Sequence, residues 1–328
     1  MKEEDIRKRE VLDRYLELVR DDVGKIFGDF SLFQQIPCPA CRGTNHRKEF
    51  EKLRFHYVSC MDCETLFVNP RPRADLLDQF YVESLSTHFW INDFFKPMVA
   101  ARQEKIFRPR AENLARRFGP DPEWTVGDVG AGFGLFLIEL RKIWPRSRMV
   151  AIEPSPEQAE ICRSHGLEVF ECTIEEVQCE SHTFDLLVAF ELIEHLYAPA
   201  LFINKVWNLL KPGGWFLITT LNVQGFDIQV LWEHSKAIYP PHHLNFFNPD
   251  SLSVLLTHYG FHVEEVTTPG QLDYDIVEGM ILREGADVDR FWKLVARKST
   301  PMVKQDLQKW ISQSLLSSHM NILARRQS

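Results

Sequence analysis

The chain has 328 residues, of which 45% are hydrophobic and 26% are charged, a composition typical of folded globular proteins. Its formal net charge of -8 disfavours a nucleic-acid partner, which would favour a basic surface. No apolar run approaches the roughly 18 residues of a membrane-spanning helix, so no membrane span is expected. The charged N-terminus lacks a signal-peptide core, and we therefore expect a cytoplasmic protein.

The first 35 residues are predicted to form an N-terminal helical segment. Between Ile6 and Ile26 apolar side chains recur at near-helical spacing, with charged residues between them. Such a helix packs on the body of the protein or on a second subunit, so a homodimer is an open alternative.

Residues 36–73 contain two C-x2-C pairs that are separated by 18 residues: Cys38, Cys41, Cys60 and Cys63. Each pair places two thiolates on one side of a tight turn, and two such turns complete a tetrahedral site. The spacing predicts a zinc ribbon whose metal is structural, because four sulfur ligands leave no open position for catalysis. The competing interpretations are a redox dithiol and a mixed site that uses His46 or His56.

Residues 74–120 are predicted to be a helical connector that is rich in aromatic residues. Those side chains either cover a cofactor as a lid or pack into the core. From Trp124 onward apolar strands alternate with helices, which predicts a parallel sheet with crossover helices. Strands are predicted at 126–129, 149–152, 167–170, 184–190, 215–220, 261–266 and 319–324, with a helical insertion at about 271–313.

The most informative motif follows the first of these strands and runs from Asp128 to Gly134, with glycine at positions 130, 132 and 134. Glycine lets a backbone turn tightly and lie against a flat ligand. Glu153 ends the second strand, 19 positions after Gly134, where a carboxylate holds a ribose diol in nucleotide-binding βαβ units. A dinucleotide fingerprint would require a small residue where this chain has Leu135.

The run D-x-G-x-G-x-G and the acidic end of the second strand resemble motif I of the class I S-adenosylmethionine-dependent methyltransferases. The resemblance covers about residues 75–328 and is to small-molecule enzymes of this class, here with a four-cysteine zinc ribbon. It implies an α/β fold with a Rossmann-like, mostly parallel sheet of seven strands and helices on both faces. It divides the chain into 1–35, the ribbon 36–73, the connector 74–120 and a methyltransferase domain 121–328.

The implied cofactor is S-adenosyl-L-methionine. The resemblance implies that the glycine run passes its methionine part and that Glu153 binds its ribose hydroxyls. Adenine would lie between the turn after the second strand and the turn at 173–174. The implied cofactor-binding residues are Asp128, Gly130, Ala131, Gly132, Gly134, Glu153, Pro154, Thr173, Ile174, Phe190 and Glu191.

Two polar segments are expected on the acceptor side, since both follow strands at the carboxyl edge of the sheet. The first contains Glu191, Glu194 and His195 and resembles motif IV of class I methyltransferases. In ubiquinone-biosynthesis O-methyltransferases and many relatives, a histidine at this place lies near the acceptor. In the alternative, His195 only caps or packs under the helix that follows.

The second segment, 239–247, reads Y-P-P-H-H-L-N-F-F and resembles a stretch of small-molecule methyltransferases. These include sugar C-methyltransferases with an N-terminal four-cysteine zinc domain, in which a tyrosine and a histidine face the substrate. Adjacent residues of an extended segment point in opposite directions, so only one of His242 and His243 faces the pocket. His243, His195 and Tyr239 form the predicted catalytic set, and His242 is assigned a structural hydrogen bond.

The sequence therefore predicts methyl transfer to oxygen or carbon of a small molecule, such as a sugar nucleotide, a glycan precursor or a secondary metabolite. A histidine would accept the proton from the acceptor, because its pKa is near neutral. One alternative is an RNA methyltransferase that grips RNA with its ribbon, since residues 38–73 hold seven Lys and Arg against four Asp and Glu. The other is a non-catalytic binding module.

Overall fold

The predicted N-terminal helix is present in the computed structural model, which describes residues 8–327. This helix, α1 (Arg9–Ile26), buries Leu12, Leu16 and Val19 on one face because these residues recur every three to four positions. Ile6, where the predicted pattern begins, and Ser328 lie outside the described residues.

The cysteine-bearing segment folds into short strands. They are β1 (Phe33–Gln34), β2 (His46–Lys52), β3 (Phe55–Cys60), β4 (Leu66–Val68) and β5 (Arg71–Pro72). Strands β2, β3 and β4 form an antiparallel sheet whose fourth strand, Asn245–Phe246, comes from the second half of the chain and pairs with β4. The ribbon therefore shares a sheet with the large domain.

The connector is helical between residues 74 and 118, apart from Ser84. Its α-helices are α2 (Ala74–Glu83), α3 (Leu85–Phe89), α4 (Val99–Arg102) and α5 (Arg108–Phe118), with tighter and wider helical turns at 90–98 and 103–107. Phe80 and Phe94 are buried in the core. The ring of Phe95 instead lies 5.2 Å from that of Phe133 in the glycine run. The aromatic residues thus serve both packing and the wall of the predicted cofactor site.

A sheet of seven strands organises the remainder of the chain. Its strands are β6 (Thr125–Val129), β7 (Arg148–Ile152), β8 (Glu168–Phe170), β9 (Phe184–Phe190), β10 (Leu210–Leu221), β12 (Phe261–Thr267) and β13 (His319–Arg326), whereas β11 is the Asn245–Phe246 strand described above. The order across the sheet is β12-β13-β10-β9-β6-β7-β8. Only β13 runs against its neighbours, so the predicted mostly parallel α/β sheet is confirmed.

Helices cover both faces of this sheet, as predicted. They are α6 (Leu135–Ile143), α7 (Pro156–Ser164), α8 (Pro199–Leu209), α9 (Phe226–Leu231), α10 (Pro249–His258), α11 (Asp273–Glu284), α12 (Arg290–Lys298) and α13 (Pro301–Gln313). One apolar layer contains Phe202 and Leu255, and the other contains Leu137 and Trp144. Helices α11 to α13 form the predicted insertion before β13.

The fifth strand is longer than its sequence indicates. The glycines and proline at 211–214 predict a break before the strand, but β10 already begins at Leu210, with an irregularity of register between Leu210 and Trp215. Pairing with β9 on one side and β13 on the other overrides the local turn signal. No helix within residues 8–327 combines the length and apolar character needed to cross a membrane.

Candidate active site

The glycine run leaves β6 as a bend in the left-handed region of the backbone. The φ angles of Gly130, Gly132 and Gly134 are +71°, +57° and +70°, values that L side chains rarely adopt. A Cβ atom at Gly134 would lie 2.6 Å from Cδ1 of Leu167 and 3.1 Å from Sγ of Cys162. The bend consequently requires glycine for its conformation and, at position 134, also for space.

Glu153 faces this bend. Its carboxylate accepts hydrogen bonds from the Gly132 amide at 2.8 Å and the Ser155 amide at 2.9 Å. The residue is only 5% exposed, and burial raises the pKa of its carboxyl group against the effect of those two hydrogen bonds. The predicted ribose-binding carboxylate and the glycine bend are therefore in direct contact.

Asp128 supplies a second buried carboxylate beside the bend. Its Oδ1 has no hydrogen-bond partner within residues 8–327. Burial and the nearby Glu153 raise its pKa, and Arg110 opposes them. S-adenosylmethionine carries a sulfonium, an ammonium group and a ribose diol, which two carboxylates and a bare backbone can satisfy. The residues present therefore fit this cofactor.

The other implied cofactor-binding residues differ in what they expose. The Ala131 amide hydrogen-bonds to the Ile152 carbonyl within the bend, and Pro154 is exposed directly after Glu153. Thr173 begins a short helical turn with a capping box, whereas the side chain of Ile174 is buried in the core. The ring of Phe190 contacts the ring of Phe136 and the guanidinium of Arg110.

Glu191 holds three side chains together at the carboxyl edge of the sheet. It accepts hydrogen bonds from Thr219 at 2.7 Å, His319 at 3.1 Å and Arg110 at 3.3 Å. Although burial opposes it, the nearby His319 and Arg110 hold the pKa of Glu191 below its usual value. The same pairing raises the pKa of His319 to about 9 despite partial burial.

Two residues of this group, Arg110 and His319, are not predicted as site residues from the sequence. Arg110 lies in a helix whose sequence only predicts an amphipathic connector. His319 is the first residue of β13, and this strand runs antiparallel to β10, so its first residue reaches the edge where the parallel strands end. His319 could be placed at this edge from the sequence only if the last strand were known to run antiparallel to its neighbours.

The two predicted catalytic histidines come together. The ring centroids of His195 and His243 are 4.8 Å apart, and a nitrogen of each lies within 4.8 Å of a Glu194 oxygen. Nδ1 of His243 is 2.5 Å from the carbonyl oxygen of Ala237. A carbonyl only accepts, so Nδ1 of His243 carries the proton and Nε2 keeps a lone pair.

Burial sets the charge state of this cluster. Burial and the neighbouring His243 lower the pKa of His195 to about 3, and burial also lowers the pKa of His243. Burial and Glu191 raise the pKa of Glu194 to about 8, and its carboxyl group accepts a 2.7 Å hydrogen bond from Thr220. Both imidazoles are therefore neutral at neutral pH. Two imidazoles and a carboxylate are also a donor set suited to a divalent cation.

Tyr239 and His242 are placed differently from their predicted roles. The hydroxyl of Tyr239 donates a 2.5 Å hydrogen bond to the Leu16 carbonyl of α1. His242 packs against the rings of Tyr15, Phe80 and Tyr81, and its Nε2 has no hydrogen-bond partner in the described part of the chain. Aromatic packing surrounds His242, and its Nε2 does not make the expected hydrogen bond.

The connector contributes Tyr81 to the same cluster. Its hydroxyl lies 3.4 Å from Nδ1 of His195. Burial raises the pKa of this phenol, which is therefore neutral at physiological pH. The sequence does not distinguish Tyr81 from the other aromatic residues of the connector, because helical spacing alone does not separate a site residue from core packing.

The four ribbon cysteines converge on one point. Their sulfur atoms lie within 4.8 Å of one another, with Cys38–Cys63 and Cys41–Cys60 separations of 3.5 Å. Zn–S bonds of about 2.3 Å in a tetrahedron place sulfurs about 3.8 Å apart, so this donor set fits one zinc ion. The Gly43 amide donates to Sγ of Cys41 at 3.4 Å, an outer contact typical of such sites.

Comparison with known proteins gives a family and several relatives. A methyltransferase-domain family model matches residues 98–266, which is half of the chain. The ubiquinone biosynthesis O-methyltransferase of Xylella fastidiosa strain 9a5c is 31% identical over 155 residues, covering 43% of this chain and 62% of the relative. The same enzyme of Xanthomonas axonopodis pv. citri strain 306 is 29% identical over 205 residues, covering 58% of this chain and 82% of the relative. The chain thus spans less than two thirds of the length of the Xylella fastidiosa relative.

Solved structures share the fold. One chain from the complex between the Haloferax volcanii Trm112 methyltransferase activator and a methyltransferase superposes with a TM-score of 0.51 and 16% identity, covering 73% of this chain and 96% of its own length. The likeness supports the architecture alone. Because the family model spans the glycine bend, Glu153 and the His195 turn on this sheet, the chain belongs to the methyltransferase-domain family, within the class I S-adenosylmethionine-dependent methyltransferases.

Proposed function

We propose that the protein transfers the methyl group of S-adenosyl-L-methionine to a hydroxyl group of a small molecule, with His243 as the general base. The observation that carries the proposal is the tautomer of His243. Its Nδ1–H is held by the Ala237 carbonyl, so the lone pair of Nε2 is available beside His195 and Glu194. The O-methyltransferases among the relatives support oxygen as the acceptor atom.

In this mechanism the residues divide into two sets. The bound cofactor would supply an electrophilic methyl group. The glycine bend, Glu153 and Asp128 would bind it, and holding both reactants in line contributes roughly 7–11 kcal/mol to lowering the barrier. Nε2 of His243 would take the acceptor proton as the oxygen–methyl bond forms, while the electron pair of the broken carbon–sulfur bond stays on sulfur.

The weak basicity of His243 favours an acidic acceptor. Burial lowers the pKa of this imidazole, so it removes a proton more readily from a phenol, with a pKa near 10, than from a sugar hydroxyl. We therefore infer a phenol or a catechol as the acceptor class. Sugar nucleotides and other secondary metabolites are the comparison substrates.

The test uses S-adenosylmethionine labelled with 13C at the methyl group and a panel of phenols, catechols and sugar nucleotides. We expect a methoxy product by mass spectrometry and NMR. His243→Ala should lower kcat about 10²–10⁴-fold, because it removes the general base. His262→Ala, at an exposed histidine of β12, is the matched control.

Other outcomes identify the alternatives. A methyl group on carbon, or full activity in His243→Ala, contradicts the proposal. A second metal ion per chain, bound in addition to the ribbon zinc and lost in His243→Ala, would assign Glu194, His195 and His243 to a cation instead. A salt-dependent mobility shift with RNA would favour the RNA methyltransferase, and cofactor binding without any product would favour a non-catalytic module.

We also propose that the ribbon cysteines hold a structural zinc ion. The convergence of four sulfurs and the contacts that surround them support it. Metal analysis of the purified protein should give one zinc per chain, and Cys60→Ser should lower that content. A wild-type protein that is folded without any bound metal contradicts the assignment.

A further inference from the structure

Arg71 is a charged residue that the fold buries completely, and among residues 8–327 no acidic side chain is in hydrogen-bond contact with it. It lies in β5 at the exit of the ribbon and is 0% exposed. Its guanidinium donates to the Tyr197 carbonyl and to Oδ1 of Asn245, each at 2.6 Å, and to the Leu244 carbonyl at 3.4 Å. Burial lowers its pKa to about 10, which leaves it protonated at neutral pH. Burying a cation on neutral acceptors is costly.

Asn245 continues this contact into the turn that contains His195. Its Nδ2 group donates to the Leu196 carbonyl at 2.8 Å and to the Ile193 carbonyl at 3.1 Å. The adjacent Leu244 amide donates to the Glu194 carbonyl at 2.8 Å. The Asn245 side chain, which Arg71 holds by a hydrogen bond to Oδ1, thus joins the turn at 193–196 (the His195 turn) to residues 239–247 (the His243 segment).

The ribbon also grips the backbone of that segment directly. The hydroxyl of the buried Tyr57 donates to the His243 carbonyl at 2.8 Å, and the Val68 amide donates to the Leu244 carbonyl at 3.0 Å. These contacts fix the main chain on the C-terminal side of the His243 side chain. The imidazole itself donates its hydrogen bond to the Ala237 carbonyl.

We propose that Arg71 and Asn245 are positioning residues, which hold His243 against His195 so that Nε2 of His243 faces the acceptor. The inference rests on the proposed function of His243 as the base. The ribbon would then act in the acceptor half of the site, through Arg71 and Tyr57, and not in cofactor binding.

Two variants test this arrangement. Asn245→Asp keeps an acceptor for Arg71 but removes the hydrogen bonds that Nδ2 donates to the Ile193, Glu194 and Leu196 carbonyls. Arg71→Lys keeps the charge but loses the planar fork that reaches several oxygens at once. We expect kcat to fall about 10- to 100-fold in both, with cofactor affinity unchanged within threefold.

The pH profile separates positioning from mere loss of stability. A displaced His243 becomes hydrated, so the acid limb of kcat/KM should move upward toward the value of a free imidazole. The titratable groups around His243 are Glu191, Glu194, His195, His242 and His319, with Tyr81 from α2 and Tyr57 from the ribbon. Asn245→Asp adds a new carboxylate two residues from His243, which by itself raises a histidine pKa, so the decisive comparison is Arg71→Lys, which adds no acidic group.

The comparator is Asn222→Ala, which removes another buried asparagine that donates to two backbone carbonyls, those of Leu315 and Ser317. It should lower the melting temperature to a similar extent without moving the acid limb. An unmoved acid limb in Asn245→Asp and Arg71→Lys, or an equal movement in Asn222→Ala, overturns the inference.

A readout that needs no turnover distinguishes this inference from the proposed function. Nitrogen-15 NMR of the histidine side chains should show Nδ1–H on His243 in the wild type and a mixture of tautomers in both variants. If the variants show this change of tautomer but the wild-type protein forms no product with any acceptor, the positioning inference holds and the proposed function fails. An unchanged tautomer in the variants overturns the positioning.

Discussion

At the scale of single residues, the two halves of the site depend on different physical effects. Glu153 is held by backbone amides and faces the glycine bend, so its geometry is fixed before a ligand arrives. The Ala237 carbonyl fixes the tautomer of His243, and the proposed role of this residue as the base depends on that tautomer. The first arrangement favours binding, and the second favours proton transfer.

Replacement of Glu153 tests the binding half. Glu153→Gln should weaken cofactor binding about 10- to 100-fold, since a hydrogen bond to a charged group is worth about 1.5–3 kcal/mol. Calorimetric titration with S-adenosylmethionine measures the change, with the exposed Glu171→Gln as control. Equal affinity in Glu153→Gln and wild type would remove this residue from the site.

The pH dependence tests the proton-transfer half. His243 must be neutral to accept a proton, and burial lowers its pKa, so the neutral form persists to a lower pH than in a free imidazole. Activity should therefore be retained on acidification through about pH 6.5 and be lost only below it. A kcat/KM profile with its acid midpoint at or above the free-imidazole value would contradict this assignment.

At the scale of elements, the ribbon and the acceptor segment form one unit. Strand β11 pairs with β4, and Nδ2 of Asn248 donates a 2.9 Å hydrogen bond to the backbone carbonyl of Cys63. The glycine bend, in contrast, is built from β6 and β7, which pair with each other and with β8 and β9. The proposed cofactor and acceptor sites thus lie on different parts of the fold.

This separation predicts the effect of removing the zinc ion that we propose for the ribbon. Chelation of the ribbon metal, or Cys60→Ser, should lower kcat at least tenfold, because the ribbon supports the His243 segment, and should lower the melting temperature. Cofactor affinity should change less than threefold, because β6 and β7 stay intact. Calorimetry and kinetics on the same samples measure both. A parallel loss of cofactor affinity would show that the two halves are coupled.

The sequence predicts these elements unequally. Alternation of apolar strands and helices locates every strand of the large sheet, because that signal is local. Strand β11 has only two residues, Asn245 and Phe246, and exists because β4 offers a free edge. Neither residue shows a strand pattern of its own, so only the folded chain reveals the pairing.

At the scale of the whole molecule, contacts between distant parts of the chain account for the site residues that sequence reasoning missed. Arg110, Tyr81 and Arg71 come from the connector and the ribbon, and His319 comes from the reversed last strand. The glycine bend and the four cysteines were predictable because each depends on spacing within a short segment. The position of Glu153 opposite Gly132 follows from adjacent parallel strands.

The pairing of β4 with β11 also bears on the order of events during synthesis. Phe67 leaves the ribosome about 180 residues before its partner Asn245, a delay of roughly 10–35 s at about 5–20 residues per second. Throughout that interval the outer edge of β4 has no strand beside it, and an open edge invites pairing with other chains. Slower translation ahead of codon 245 lengthens the time for which this edge is exposed. It should therefore increase aggregation.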